Sequence, residues 1–231
     1  MLLSIVIPVY NEEQNIAKLL TKLNELNLDL EKEIILVDDC STDRTLDNVH
    51  AFASKIPIKI FKLEKNSGKG AALKKGFKEA NGDFVIIQDA DLEYEPKDYP
   101  LLLKPLIDLN ADVVYGSRFA GAGVRRVTNS LHYFANRFLT IFSNMVYGLS
   151  LSDMETCYKV FRKNILAKIT IKENRFGIEP EITAKISKIP NLKLFEVPIN
   201  YYARDYAEGK KIKWTDGLKA IFYIIKHRFI D

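Results

Sequence analysis

Cysteine is scarce in this 231-residue chain, with Cys40 and Cys157 as the whole complement. They lie far apart and lack the spacing of a zinc site or a disulfide framework, so reduced thiols in the cytosol are the expected state. Histidine is nearly as sparse. His50, His132 and His227 are too scattered to argue a zinc cluster or a Ser-His-acid arrangement. No basic segment precedes the apolar start Leu2-Leu3-Ser4-Ile5-Val6-Ile7-Pro8, so no signal peptide is read and the protein is expected on the cytoplasmic side. The uncharged stretch from Phe138 to Ser152 is shorter than the roughly 20 residues a spanning helix needs. Excess charge is also missing: the net of +4 is too mild for nucleic acid to be the main ligand. Repeats, low-complexity tracts and a dividing linker are absent as well, and one domain over 1–231 is expected.

What is present is an alternation of apolar runs with helical patterns, which marks βαβ units and a mostly parallel α/β sheet with flanking helices. The strand-like runs are Leu3 to Val9, Ile34 to Val37, Ile58 to Leu63, Phe84 to Ile87 and Val113 to Tyr115, rich in Ile and Val as strands covered on both faces should be. Asn11 is expected to cap a helix over Glu12 to Leu26, with two acids in its first turn. Asp43 or Thr42 caps the next, and Gly68 to Gly70 opens a third over Ala71 to Ala80, ended by Gly82. Further on, helices are expected over Asn129 to Tyr147, Pro180 to Ser187 and Trp214 to His227, with a strand over Leu192 to Val197. The second half reads as an acceptor-side elaboration. Loops at the carboxyl ends of the strands are where such sheets bind ligands.

Asp89-Ala90-Asp91 stands at one such end. Side chains two apart on a strand point the same way, so both carboxylates can face one hard cation, Mg²⁺ or Mn²⁺, whose shell phosphate oxygens and water complete. A plain acidic turn is the competing reading. Position favours the ion, because adjacent carboxylates repel and are seldom placed together without a cation. Asp38-Asp39 ends another strand, where one carboxylate can bond a base or ribose, or simply close a turn. Gly68-Lys69-Gly70-Ala71-Ala72-Leu73 fails both phosphate-loop fingerprints, leaving backbone amides and Lys69 as donor-pocket lining. With histidine excluded, candidates for a general base reduce to carboxylates.

Pro8-Val9-Tyr10-Asn11-Glu12, Val37-Asp38-Asp39-Cys40-Ser41, Gly68-Lys69-Gly70, Asp89-Ala90-Asp91 and Gly116-Ser117-Arg118, in that order, resemble the family 2 glycosyltransferases of GT-A fold. Within them the chain is similar to the dolichyl-phosphate mannose synthase and dolichyl-phosphate glucosyltransferase branch. Asp153 to Phe161 and Arg175 to Glu181 lean toward the glucosyltransferases. The resemblance implies a GT-A domain with a nucleotide-sugar half over 1–120 and an acceptor and membrane-facing half over 121–231. It implies inverting transfer of a hexose from a UDP-glucose or GDP-mannose type of donor to a polyprenyl phosphate. Pro8, Tyr10, Glu12, Val37 and Asp39 would surround the nucleotide. Asp89, Ala90, Asp91 and Glu93 would hold metal, diphosphate and sugar. Arg118, Arg126, Arg204, Lys210 and Lys211 would grip the acceptor phosphate. That acceptor is already anionic, so the reaction needs Asp91, Arg118 and an orienting Asp153 more than a strong base.

Phe134, Phe138, Ile141, Phe142, Met145 and Val146 form a broad apolar face, flanked by Arg125, Arg126 and Arg137. An interfacial helix on the cytoplasmic face of a membrane is the functional reading, and a core helix under the sheet the structural one. A glycosyltransferase with a soluble or polymeric glycan acceptor, and a nucleotide-sugar-binding module without turnover, remain alternatives.

Overall fold

The computed structural model of the protein describes residues 1–121, 123–127, 130–175, 177–204 and 214–230, with 214–216 described by backbone alone. Among these residues, seven strands form one sheet in the order β3-β2-β1-β4-β6-β5-β7. The strands are β1 (Leu2–Val9), β2 (Glu31–Asp38), β3 (Ile58–Lys62), β4 (Phe84–Ile87), β5 (Val113–Ser117), β6 (Lys159–Arg162) and β7 (Leu194–Pro198). All neighbours run parallel except β6, which is antiparallel to both β4 and β5. Flanking helices cover the apolar runs of β1, β2, β4 and β5, which are accordingly near-continuous, whereas the edge strand β3 alternates with lysine and is only partly buried. They are α1 (Ile16–Glu25), α2 (Thr45–His50), α3 (Lys69–Glu79), α4 (Tyr99–Asp108), α5 (Ser130–Tyr147), α6 (Lys163–Leu166), α7 (Ile178–Ser187) and α8 (Trp214–Phe229).

The chain runs outward from β1 to β2 and β3, then returns to β4 on β1's other side, so the crevice at the carboxyl ends of β1 and β4 is a topological switch point. Pro8 fits in this central strand. The β1–β4 ladder ends at Val6 and Ile87, with Gln88 N bonding Val6 O, so the missing N–H of Pro8 falls beyond it.

Asn11 does not cap α1. It has φ 51, and its Oδ1 accepts from Thr42 N at 2.8 Å. Asn tolerates that left-handed backbone. The helix begins only at Ile16, with no acid in its first turn, because residues 11–13 are tied instead to the loop after β2. Asn11 N reaches Ser41 Oγ, Glu12 N reaches Thr45 Oγ1 and Glu13 N reaches Asp43 Oδ2. Gly82 does not close α3, which ends at Glu79 with Ala80 as cap. A side chain on Gly82 would lie 2.7 Å from Leu2 O and Ser4 N of β1. The helix α4 and the strand β6 lie outside the expected elements.

One buried network ties β1, β2, β3 and the turn before β4. Glu33 Oε1 accepts from Ser4 Oγ (2.6 Å) and Asn81 N (2.7 Å), Oε2 accepts from Lys59 Nζ (2.8 Å), and Ser4 Oγ accepts from Gly82 N (2.7 Å). Burial works against the charge, yet the bonds from Lys59, Ser4 and Asn81 hold the Glu33 carboxyl down at about 2. A depressed folded-state pKa gives stability that is complete above the ordinary glutamate range and lost as pH falls through that value. Glu33→Gln is therefore expected to lose about 2–3 kcal/mol of unfolding free energy at neutral pH. Urea titrations at pH 7 and pH 3 test this: the gap between wild type and variant should narrow at the lower pH.

Candidate active site

The crevice at the switch point opens into a cavity of about 380 Å³. Pro8, Tyr10 and Glu12 line it from the end of β1, Asp39 from the end of β2, Gly68 and Lys69 from the start of α3, and Asp89, Ala90, Asp91 and Glu93 from beyond β4. Arg118 after β5 and Arg204 after β7 complete the set. Most of the residues expected around the donor therefore converge. Val37 does not: it is fully buried inside β2, packed toward Gly76 on α3. Arg126 stands outside the lining; its Nη1 donates to Ala203 O. Lys210 and Lys211 lie outside the described residues.

Asp39 holds the loop that opens α3. Its carboxylate accepts from Asn66 Nδ2 (3.0 Å), Ser67 N (2.7 Å) and Gly68 N (2.8 Å). Gly68 takes φ 101, and a side chain there would come within 2.5 Å of Asn174 O; one on Gly70 would come within 2.3 Å of Glu173 O. The glycines thus admit the 173–175 segment, which receives Ala71 N on Asn174 O. Gln88 is buried behind the acids. Its Oε1 accepts from Tyr99 and Tyr158 hydroxyls, both at 2.7 Å, while its Nε2 donates to Asp89 O, so the backbone presenting Asp89 is fixed.

Two cations answer the acidic pair. Lys69 Nζ lies 3.0 Å from Asp89 and 3.2 Å from Glu179 Oε1. Burial works against its charge, but these carboxylates hold it well above the usual lysine range. Arg204 lies 3.3 Å from Asp91 Oδ2 and 3.4 Å from Glu12 Oε1, with its buried Nε without a hydrogen-bond partner. Even so, burial together with Asp89 and Glu93 pushes the Asp91 carboxyl up to about 7. A divalent cation relieves that crowding, and oxygen donors are what Mg²⁺ and Mn²⁺ take; both usually share one or two carboxylates with phosphate oxygens. Asp89 and Asp91 fit that role.

Glu93 is engaged elsewhere. Its Oε2 accepts from Tyr201 Oη (3.0 Å) and its Oε1 from Arg204 N (2.7 Å), so it fixes the segment that delivers Arg204. Asp153 has no exposed surface, and Arg118 donates to it through Nε and Nη2, both at 2.7 Å, and through backbone N at 3.0 Å. That bidentate pairing makes Asp153 an orienter. Arg118 also stacks over Tyr201, 5.1 Å from the ring centroid. Tyr94 and Tyr201 join the lining unforeseen, as do Glu155, Cys157 and Glu179, which the sequence marked only as parts of the segments Asp153 to Phe161 and Arg175 to Glu181 without a role in the site. Cys157 Sγ accepts from Lys69 Nζ, and burial pushes its thiol up, so it serves as a neutral wall.

The same fold occurs in glucosyl-3-phosphoglycerate synthase of Mycobacterium tuberculosis. Its complex with Mn²⁺, UDP and glucosyl-3-phosphoglycerate gives a TM-score of 0.76 at 19% identity, covering 99% of this chain and 80% of that one. Its complex with Mg²⁺ and UDP gives 0.73 at 19% identity, with the same coverage. The architecture is that of the GT-A glycosyltransferases. The chain belongs to glycosyl transferase family 2, whose model matches residues 4–170. Among curated relatives, the dolichol-phosphate mannosyltransferase of Pyrococcus furiosus is 30% identical over 233 residues, 98% of this chain and 62% of the relative. The dodecaprenyl-phosphate galacturonate synthase of Rhizobium johnstonii is 27% identical over 216 residues, 90% of this chain and 61% of the relative. The chain thus spans about three-fifths of the length of these two relatives.

Proposed function

We propose that the protein transfers a hexose, with inversion, from a nucleotide diphosphate sugar to a polyprenyl phosphate at a membrane surface. The observation that carries this reading is one cavity joining two kinds of anion site: the Asp89–Asp91 pair with Lys69 and Arg204, and the guanidinium of Arg118 locked on Asp153. The first suits a metal-bound diphosphate, the second an acceptor phosphate. The names of the curated relatives favour a polyprenyl phosphate acceptor.

In this reading Asp89 and Asp91 hold Mg²⁺ or Mn²⁺, which when bound neutralises charge on the departing diphosphate. Lys69 and the unpartnered Nε of Arg204 add donors for the same oxygens, already in place before the sugar leaves. Asp39 and its loop border the nucleoside. Arg118 aligns the acceptor, whose phosphate oxygen is anionic at neutral pH, so Asp153 fixes geometry and no proton needs removing. The bond from the anomeric carbon to the diphosphate breaks as the bond to the acceptor oxygen forms on the opposite face.

The membrane part rests on the surface. Of the α5 stripe, Phe134, Phe138, Ile141 and Met145 are exposed, the last 71%, with Leu131 beside them, while Phe142 and Val146 pack against the core. The neighbouring α8, packed on α5, adds Leu218, Phe222, Ile225 and Phe229. No helix among the described residues is long and apolar enough to cross a membrane. Two adjacent amphipathic stripes suit lying in the headgroup region. Flotation with phosphatidylglycerol vesicles is expected for the wild type, and Phe138→Glu with Phe222→Glu should weaken it by about tenfold or more. The activity test pairs UDP- and GDP-sugars with a defined polyprenyl phosphate: labelled sugar extracting into organic solvent supports the reading, and transfer to water-soluble acceptors alone contradicts it.

A further inference from the structure

One wall of the cavity carries two acids to which the transfer reaction described above gives no role. Glu155 precedes β6 and Glu179 lies in the first turn of α7; both line the cavity, and in each Oε1 is buried without a hydrogen-bond partner. Buried polar atoms are rarely left so. Glu179 Oε2 pairs with Lys159, a lysine with no exposed surface, while Oε1 lies 3.2 Å from Lys69 Nζ outside hydrogen-bond geometry. Burial, then the nearby Glu179, pushes the Glu155 carboxyl up to about 7 against the pull of Lys159 and Arg118.

The position of the pair follows from its neighbours. Lys69 bridges Asp89 to Glu179, so Glu179 comes directly after the diphosphate end. Glu155 lines the same cavity two residues after Asp153, the partner of Arg118, and two before Cys157, whose Sγ accepts from Lys69 Nζ, so the chain places it between the acceptor end and the diphosphate end. A sugar passing from a diphosphate held at Asp89 to a phosphate held at Arg118 must lie between the two ends, against this pair.

We infer that Glu155 and Glu179 are specificity-determining residues whose Oε1 atoms, which make no hydrogen bond within the protein, accept hydrogen bonds from hydroxyls of a neutral donor hexose and exclude a hexuronate. The inference rests on the donor site described under the proposed function and deepens it. A hydroxyl brings the hydrogen these oxygens lack. A uronate brings a third carboxylate, which can only accept, into a wall where the nearby lysines already have acidic partners. Sites built to bond a hydroxyl reject groups that cannot donate more strongly than apolar pockets reject shape.

Calorimetry in Mn²⁺ first identifies whether UDP or GDP binds, and then compares its glucose, galactose, mannose and hexuronate conjugates. Wild-type protein is expected to bind at least one neutral conjugate about tenfold or more tightly than the matching uronate. Glu155→Gln, an uncharged isostere, should bring that ratio to within about threefold while bare nucleotide affinity stays within about twofold. An unchanged ratio in the variant, or no preference in the wild type, overturns the assignment while leaving the donor site standing. Failure of the wild type to bind either bare nucleotide overturns the donor site and this assignment with it.

Discussion

Replacing Asp91 by alanine is expected to lower transfer by about a thousandfold, the rate equivalent of the several kcal/mol a metal contributes at a departing oxygen. Stability should be kept or slightly raised. Asp91 is a partly buried carboxyl crowded by Asp89 and Glu93, pushed up to about 7, and its removal relieves that crowding. Arg204 keeps Glu12 as a partner, so no cation is stranded. The check is paired: calorimetry of nucleoside diphosphate with and without Mn²⁺, and thermal unfolding. Wild type should bind nucleotide more tightly with Mn²⁺, and Asp91→Ala should show no such gain at an unfolding temperature no lower than wild type.

The second large effect concerns Arg118. Arg118→Lys keeps the charge but loses the fork that Asp153 holds through two side-chain bonds of 2.7 Å. A misplaced phosphate contact is expected to lower kcat/KM for the acceptor by about a hundredfold, with donor affinity unchanged. Arg118→Ala should differ in kind. It strands the fully buried Asp153 carboxylate and is expected to destabilise the fold by about 3–5 kcal/mol. Steady-state kinetics on Arg118→Lys and urea unfolding of Arg118→Ala separate the two roles. An Arg118→Lys enzyme with the wild-type acceptor KM and kcat contradicts the acceptor assignment.

Much of the nucleotide-side scaffold was legible because β1, β2 and β4 carry Ile/Val-rich runs that end in polar residues. Phe84–Ile87 is such a run, and it puts Asp89 and Asp91 beyond its carboxyl end. The expected helix start at Asn11 failed for a reason no local pattern shows: its side chain and the next two backbone amides bond across to residues 41–45. Strand β6 was hidden by charge. Lys159 and Arg162 bracket two apolar residues, and only the fold reveals that Lys159 is fully buried between Thr156, Glu179 and the Tyr115 ring. In α4, Pro100 near the start and Pro105 inside blur the helical signal.

The site shows the same division. The acids after β4 announce themselves by spacing, whereas Glu155, Cys157 and Glu179 acquire their roles from distant partners. Lys69 reaches Cys157 across 88 positions of chain and ties Glu179 to Asp89. Glu93 shows the converse. Adjacent to the acid pair in sequence, it is turned toward Tyr201 and Arg204 and positions the arginine. The apolar stripe of α5 was readable as periodicity, but its continuity with α8 needs the packing of the two helices.

In the proposed function, Asp89 and Asp91 together grip a cation that tethers a diphosphate. Crystals soaked with Mn²⁺ and the nucleoside diphosphate that binds, measured at the manganese absorption edge, test it most directly. An anomalous peak is expected with oxygens of both carboxylates and of the diphosphate at about 2.1 Å. A diphosphate seated on Lys69 and Arg204 with no anomalous peak beside Asp89 and Asp91 would contradict it.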